Sequence, residues 1–297
     1  MANSFIKPDK IVRQALGLLQ REIILPNVVW RYGEADFAGA ADDTVTLRVP
    51  AVLTARDRAL RATSALVADD IAEQSVPVVL AKHPYHLGNI TDAQLTLDIV
   101  DFGEQVQMPQ MRAVAEKLED YIATALSSAT YTNVREFNTG DPYASLITAR
   151  RLLNDANVPM GDRFFVMGSQ IETELLNDDK VQQVQSFGTD SAFREASLGR
   201  LYGFTLVTSN AIDPNAAYAM HRTAVAFANV APQVPAGATA GARAASDGLA
   251  LTWIRDYDPT YTQDRSLVHS FAGATAVTDP ETDKVVRAVK FTNTLSS

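Results

Sequence analysis

The sequence predicts an α+β chain, and three observations carry that prediction. Apolar and polar residues alternate at Val45, Leu47 and Val49, and again at Val76, Val78 and Leu80, the period of strands with one covered face. One unbroken stripe at helical spacing runs through Met108, Met111, Val114, Ala115, Leu118, Tyr121, Ile122, Ala125 and Leu126. Beyond residue 140, helix and strand patterns alternate. The chain has 297 residues, 46% hydrophobic and 21% charged. That suits one or two domains with a buried core and excludes a mainly disordered polymer.

The elements follow in order. Ile11, Val12, Ala15, Leu16, Leu19 and Ile23 take helical spacing after Pro8, and Pro26 ends the pattern. Residues 1–31 hold five basic and two acidic side chains, a net +3, whereas the rest holds 21 basic and 33 acidic, a net −12. A mildly basic arm thus precedes an acidic body. It reads equally as a helix packed on the body or as an arm reaching a partner. The two alternating stretches flank residues 54–73, which carry Arg56, Asp57, Arg58, Arg61, Asp69, Asp70 and Glu73. A connection of about 20 residues inside a compact domain tends to be functional. A two-stranded ribbon is marginal alone in water and needs a neighbour to lie on.

Leu95, Leu97 and Ile99 suggest a third strand. The long helix is expected over residues 103–131, with Glu104, Gln107, Arg112, Glu116, Lys117, Glu119 and Asp120 on its outer faces. At 1.5 Å per residue it spans roughly 40 Å, against a radius of gyration near ~19 Å for a globule of this length, so the subunit is expected to be elongated and plate-like. Asp141-Pro142 opens a helix whose apolar face is Tyr143, Leu146, Ile147, Leu153 and Ala156. Residues 163–167 read as a buried strand. Ser169 and Glu172 form a capping box for the next helix. Further strands are expected at 203–208, 218–230, 249–257 and 284–291, with a small-residue loop over 231–245.

The composition excludes much chemistry. There is no cysteine, which removes disulfides, thiolate metal sites and cysteine nucleophiles, and there are only four histidines. His83 and His86 are three apart, but Pro84 between them favours a turn over a helical metal chelate. His221 and His269 sit in apolar surroundings without a nearby acid–base set. The HExxH, GxSxG, P-loop and GxGxxG patterns are absent. The acidic pairs Asp42-Asp43, Asp69-Asp70, Asp178-Asp179 and Asp256-x-Asp258 read as solvated charge. The reading assigns no catalytic, cofactor-binding or metal-ligating residue. A net charge of −9 and a pI near 5.0 lack the global basic footprint of a nucleic-acid binder. No apolar run approaches the ~20 residues of a spanning helix, and no signal core is visible, so the chain reads as made and used in the cytoplasm.

The order of features resembles the major capsid proteins of tailed bacteriophages, the Hong Kong 97-type fold. It is carried by the amphipathic arm, the hairpin with a charged tip, and Ile90-Thr91-Asp92-Ala93-Gln94-Leu95 leading through Leu97-Asp98-Ile99-Val100-Asp101-Phe102 into the long helix. Later come Arg163-Phe164-Phe165-Val166, residues 201–209, Asp256-Tyr257-Asp258 and residues 267–273. The resemblance implies an N-terminal arm (1–33), an extended loop (34–82), a peripheral domain with a spine helix (83–134), an axial domain (135–248) and a returning peripheral strand with the C-terminal segment (249–297). It further implies homo-hexamers and pentamers closing an icosahedral shell around double-stranded DNA, in a virion made in a bacterial host's cytoplasm. A separate scaffolding protein, a portal and a decoration protein are the implied partners, with no cofactor and no membrane. Arg56, Arg58, Arg61, Asp69, Asp70 and Glu73 become candidate contacts between subunits. Two other readings are an encapsulin-like compartment shell and an α/β enzyme using carboxylates.

Overall fold

The computed structural model describes residues 21–33, 44–49, 55–68, 70, 74–99, 101–177, 199–246, 249–279 and 282–293. The arm stripe from Ile11 to Leu19, and Asp42, Asp43, Asp69, Glu73, Asp178 and Asp179, lie outside these residues.

In chain order the elements are α1 (Leu25–Val28), β1 (Trp30–Tyr32), β2 (Thr44–Val49), β3 (Gln74–Val79), β4 (Tyr85–Thr91) and α2 (Asp92–Leu97). A π-helical turn (Gly103–Gln107) runs directly into α3 (Met108–Ser128). Then follow β5 (Tyr131–Glu136), α4 (Pro142–Asp155), β6 (Arg163–Met167), α5 (Ser169–Asn177), β7 (Arg200–Leu201) and β8 (Phe204–Thr208). β9 (Ala216–His221), a 3-10 turn (Arg222–Ala224), β10 (Val225–Val230), β11 (Ala240–Ser246), β12 (Leu249–Asp258), β13 (Gln263–His269), β14 (Phe271–Ala276) and β15 (Val285–Thr292) complete the series.

These strands make four sheets: β5-β15-β9-β6-β8-β7, β11-β12-β13-β4, β1-β10-β14 and the ribbon β2-β3. The six-stranded sheet is covered on both faces. On one side α4 and α5 bury Leu146, Leu153, Ile171 and Leu175 against Phe165, Phe204 and Phe291. On the other, α3 buries Leu118, Ile122 and Leu126 against Tyr218, Met220, Phe227 and Ala288. Each of those three α3 side chains is 0% exposed and contributes about 1.5–3 kcal/mol by leaving water. Tyr131 and Tyr218 meet in this core with ring centres 5.8 Å apart. Burial pushes both phenols up, Tyr218 to about 12. A second set of bonds ties α3 to the four-stranded sheet. Trp253 Nε1 donates to Ser266 Oγ at 3.0 Å, Ser266 Oγ donates to Gln110 Oε1 at 2.7 Å, and Gln110 Nε2 donates to the Ser266 carbonyl at 3.1 Å.

Several expectations are corrected. Leu95, Leu97 and Ile99 do not form a strand. Thr91 Oγ1 accepts the Gln94 N–H and Gln94 Oε1 accepts the Thr91 N–H, and this capping box starts α2, leaving Leu97 72% exposed. Residues 218–230 are two strands in different sheets. The chain changes sheet at the 3-10 turn, where the His221 ring accepts the Thr223 N–H. The loop expected over 231–245 contains β11. Tyr85 and His86 are strand residues, and β4 and β5 were unanticipated. Met108 opens the helical stripe but is 63% exposed, and Glu119, read as an outer-face residue, is fully buried. Glu172 accepts from the Thr208 hydroxyl at 2.8 Å, while Ser169 is itself the first residue of α5. Pro26 stands in the first turn of α1.

Candidate functional site

The charged segment sits at the end of the β2–β3 ribbon, whose register pairs Thr44 with Val79 and Val49 with Gln74. Residues 55–68 form no regular structure. Two short links shape them: Arg58 Nη1 donates to the Ser64 carbonyl at 2.7 Å, and the Ala62 N–H donates to the Ala59 carbonyl at 3.0 Å. Arg56, Arg58, Arg61 and Asp70 are exposed. Around them Leu60 is 97% exposed, Leu66 79% and Val67 64%. Apolar side chains and arginines thus stand together in water at the tip, where the leucines have nothing to bury against.

The ribbon is rooted. Val78 is fully buried against Ala226, Ala228 and Val277, with Leu47, Val76 and Tyr32 packed around them. Beyond it, Lys82 exchanges both backbone hydrogen bonds with Ala272 at 2.9 Å. This crossing depends on Gly273, where a Cβ would stand 1.9 Å from the Val79 carbonyl oxygen. Only glycine allows the two backbones to approach so closely.

The N-terminal segment is fixed next to this root. Glu119, in the middle of α3 and 0% exposed, accepts the backbone N–H groups of Ile24 at 2.9 Å and Leu25 at 3.0 Å. Its other oxygen lies 2.9 Å from Arg21 Nε, and Arg21 also reaches Asp120 at 3.0 Å and the Glu116 carbonyl at 2.8 Å. A carboxylate this deep is tolerable only because a cation and two N–H donors surround it.

The structure also brings together two histidines distant in sequence. His83 Nε2 lies 3.0 Å from His269 Nδ1, edged by Tyr85 and Phe271. Burial, with His83 second, holds the His269 imidazole below its ordinary value. His86 is separate and lines a recess with Gln105, Val106 and Gln110. Asp256 and Asp258 both face Arg265, at 3.1 and 3.7 Å. A recess of ≈ 420 Å³ beside that pair is lined by Leu87, Pro235, Ile254 and Leu267. Among the described residues no three His, Asp or Glu side chains gather to hold a metal ion. Asp69 and Glu73 lie outside the described residues, so only four of the six candidate contact residues can be placed.

Sequence reading missed Gly273, Glu119 with Arg21, and the His83–His269 pair. Gly273 carried a usable signal, since a glycine within a strand pattern marks a close backbone approach. The other two had none, because their partners lie 95 or more residues away.

Comparison with known proteins matches this picture. Residues 89–287 fit the family model described as phage capsid protein. No curated protein is matched. Among solved structures, one from Mycobacterium phage Che8 has a TM-score of 0.70 at 19% identity, covering 98% of each chain. The capsid of cyanophage P-SCSP1u has a TM-score of 0.71 at 10% identity, covering 100% of this chain and 94% of that one. The head of Helicobacter pylori bacteriophage KHP40 gives 0.65 at 10% identity, covering 91% and 89%. With well over half its length matched by the family model and a fold shared along nearly all of it, the chain belongs to the phage capsid protein family and carries the Hong Kong 97-type fold.

Proposed function

We propose that this chain is the major coat subunit of a tailed-phage head, assembling as hexamers and pentamers into an icosahedral shell that encloses double-stranded DNA. A capsid shell protein works through its edges, and the observation that carries the reading is the rooted ribbon with its exposed tip. The division into arm (1–33), extended loop (34–82), peripheral domain (83–134 with 249–297) and axial domain (135–248) belongs to the same proposal. So do a separate scaffolding protein, a portal and a decoration protein as partners, and synthesis in the host bacterial cytoplasm. The acidic body supports DNA packed without strong adhesion to the wall, since a basic lining would grip phosphates through counterion release.

Within this reading Arg56, Arg58 and Arg61 meet acidic surface on a neighbouring subunit, and Asp69, Asp70 and Glu73 are further candidate contacts. Exposed ion pairs contribute only ~0–1 kcal/mol each, but a shell repeats them many times. Electron microscopy beside light-scattering mass of the purified chain tests the proposal. Closed shells, or rings of five and six, are expected. A monomer that stays monomeric even with the phage's own scaffolding and portal products overturns it. Alanine at all three arginines is expected to impair assembly and leave the subunit's melting temperature unchanged; normal assembly rules out the tip's part.

A further inference from the structure

One charged cluster plays no part in the tip or the N-terminal anchor. It lies at the corner where the chain passes from the six-stranded to the three-stranded sheet. Arg31 comes from β1, Arg222 from the 3-10 turn and Arg287 from β15. Arg31 Nη1 reaches Asn27 Oδ1 at 3.3 Å, and Arg222 Nη2 reaches the carbonyl of the same Asn27 at 3.1 Å. Arg287 Nη1 reaches Thr223 Oγ1 at 3.1 Å, one residue along from Arg222. Three guanidinium groups from three elements therefore converge on two adjoining anchor points. Arg31 is exposed and the other two are half-buried.

Among the described residues, these arginines belong to the group that finds no carboxylate in its own chain, as do Arg58, Arg150 and Arg163, which bond backbone carbonyls. Arg21, Arg112, Arg151, Arg255 and Arg265 each pair with a carboxylate of this same chain. Among the described residues, Arg31, Arg222 and Arg287 have only neutral oxygens as partners. The charge of Asp162 acts on the neighbouring His221. The net field at His221 also carries Arg287 and the buried Arg163, both opposing its protonation. Each guanidinium offers five donors in a planar fork, and one is used here, so the cluster is an incomplete carboxylate-binding surface.

We infer that Arg31, Arg222 and Arg287 form a dock for surface carboxylates of a second copy of this chain. The inference rests on the shell reading, and charge complementarity supports the occupant: outside residues 1–31 every copy carries a net −12. Copies of so acidic a body repel one another unless cationic clusters are placed where edges meet. A dock at the junction of two sheets is also held rigid by both, so little side-chain freedom is lost when the partner arrives.

The test uses the purified full chain. The triple variant Arg31→Gln, Arg222→Gln, Arg287→Gln removes the charge and keeps a polar, unbranched side chain; the matching triple Lys variant restores the charge without the fork. Assembly is followed by light scattering and microscopy, with circular dichroism to check folding. The Gln variant is expected to fold and to lose roughly tenfold or more in assembly, with partial recovery in the Lys variant. Poly-glutamate added to wild-type chain is expected to inhibit assembly, a readout that needs no variant. Assembly of the Gln variant at the wild-type level, or indifference to poly-glutamate, overturns the dock. Normal shells that hold less nucleic acid per particle also overturn it and make the cluster a phosphate contact. If wild-type chain itself fails to assemble with its phage partners, the shell reading falls and takes the dock with it.

Discussion

The ribbon tip and the spine of α3 lie in one chain yet follow opposite physical rules. On the inner face of α3 the side chains are buried, and the deepest charge has its partners: Glu119 is sealed by Arg21 and two backbone N–H groups. At residues 55–68 Leu60 stands almost wholly in water, and the backbone forms no regular structure. The spine meets its partners within the chain, whereas under the proposed shell reading the tip meets its own on a neighbouring copy. Stability and assembly should therefore be separable by mutation, along a gradient from spine to tip.

The hardest blow to the spine is Glu119→Ala, which strands Arg21 and two N–H groups. It should cost about 3–5 kcal/mol in denaturant unfolding; a loss under ~1 kcal/mol would mean that water already satisfies the site. At the root, Gly273→Ala pushes a methyl into the Val79 carbonyl and should cost about 1–3 kcal/mol. Protease cleavage within the ribbon should quicken before global unfolding does, and an unchanged cleavage rate would contradict the crossing described. Next in size is pH. Burial lowers His221 and His269 from 6.5, so the unfolded chain takes up their protons first. Their contribution is whole above about pH 6.5 and is lost as pH falls through the folded values, at no more than about 1.4 kcal/mol per pH unit for each. Melting temperature should drop from pH 7 to 5, less steeply in His269→Gln; equal slopes would remove His269 from the account. Least of all, Leu60→Ala should move subunit stability by under ~0.5 kcal/mol while weakening assembly. A large loss of stability would mean the tip packs within its own chain.

Local signals in the sequence tracked local structure. The stripe through Leu118, Ile122 and Leu126 identified α3, and Asp141-Pro142 identified the start of α4, because caps and periodicity lie within a few residues. The ribbon was equally plain from its alternation. Failures came where two local signals competed or where the partner was remote. Alternation at Leu95, Leu97 and Ile99 lost to the hydrogen-bonded box of Thr91 and Gln94. β11, with the small-residue sequence AGARAAS, becomes a strand only because β12 supplies its ladder. Glu119 looked like any surface glutamate until the segment that buries it was in place. Of the candidate contact residues, the arginines were legible as a charged projection. What they touch was not, since no second copy is written into one sequence.

The order of strands in the six-stranded sheet also has a meaning in time. β5 pairs only with β15, and β15 is the last strand described. About 150 residues separate them, roughly 8–30 s of synthesis at 5–20 residues per second. Throughout that interval a growing chain on the ribosome carries β5 with no ladder partner, and, once β9 is made, β9 with one edge unmet. Closure of the sheet is therefore a late event, reached after the central residues have left the ribosome. A chain caught before it offers bare strand edges to its siblings, the same molecules it later meets as neighbours.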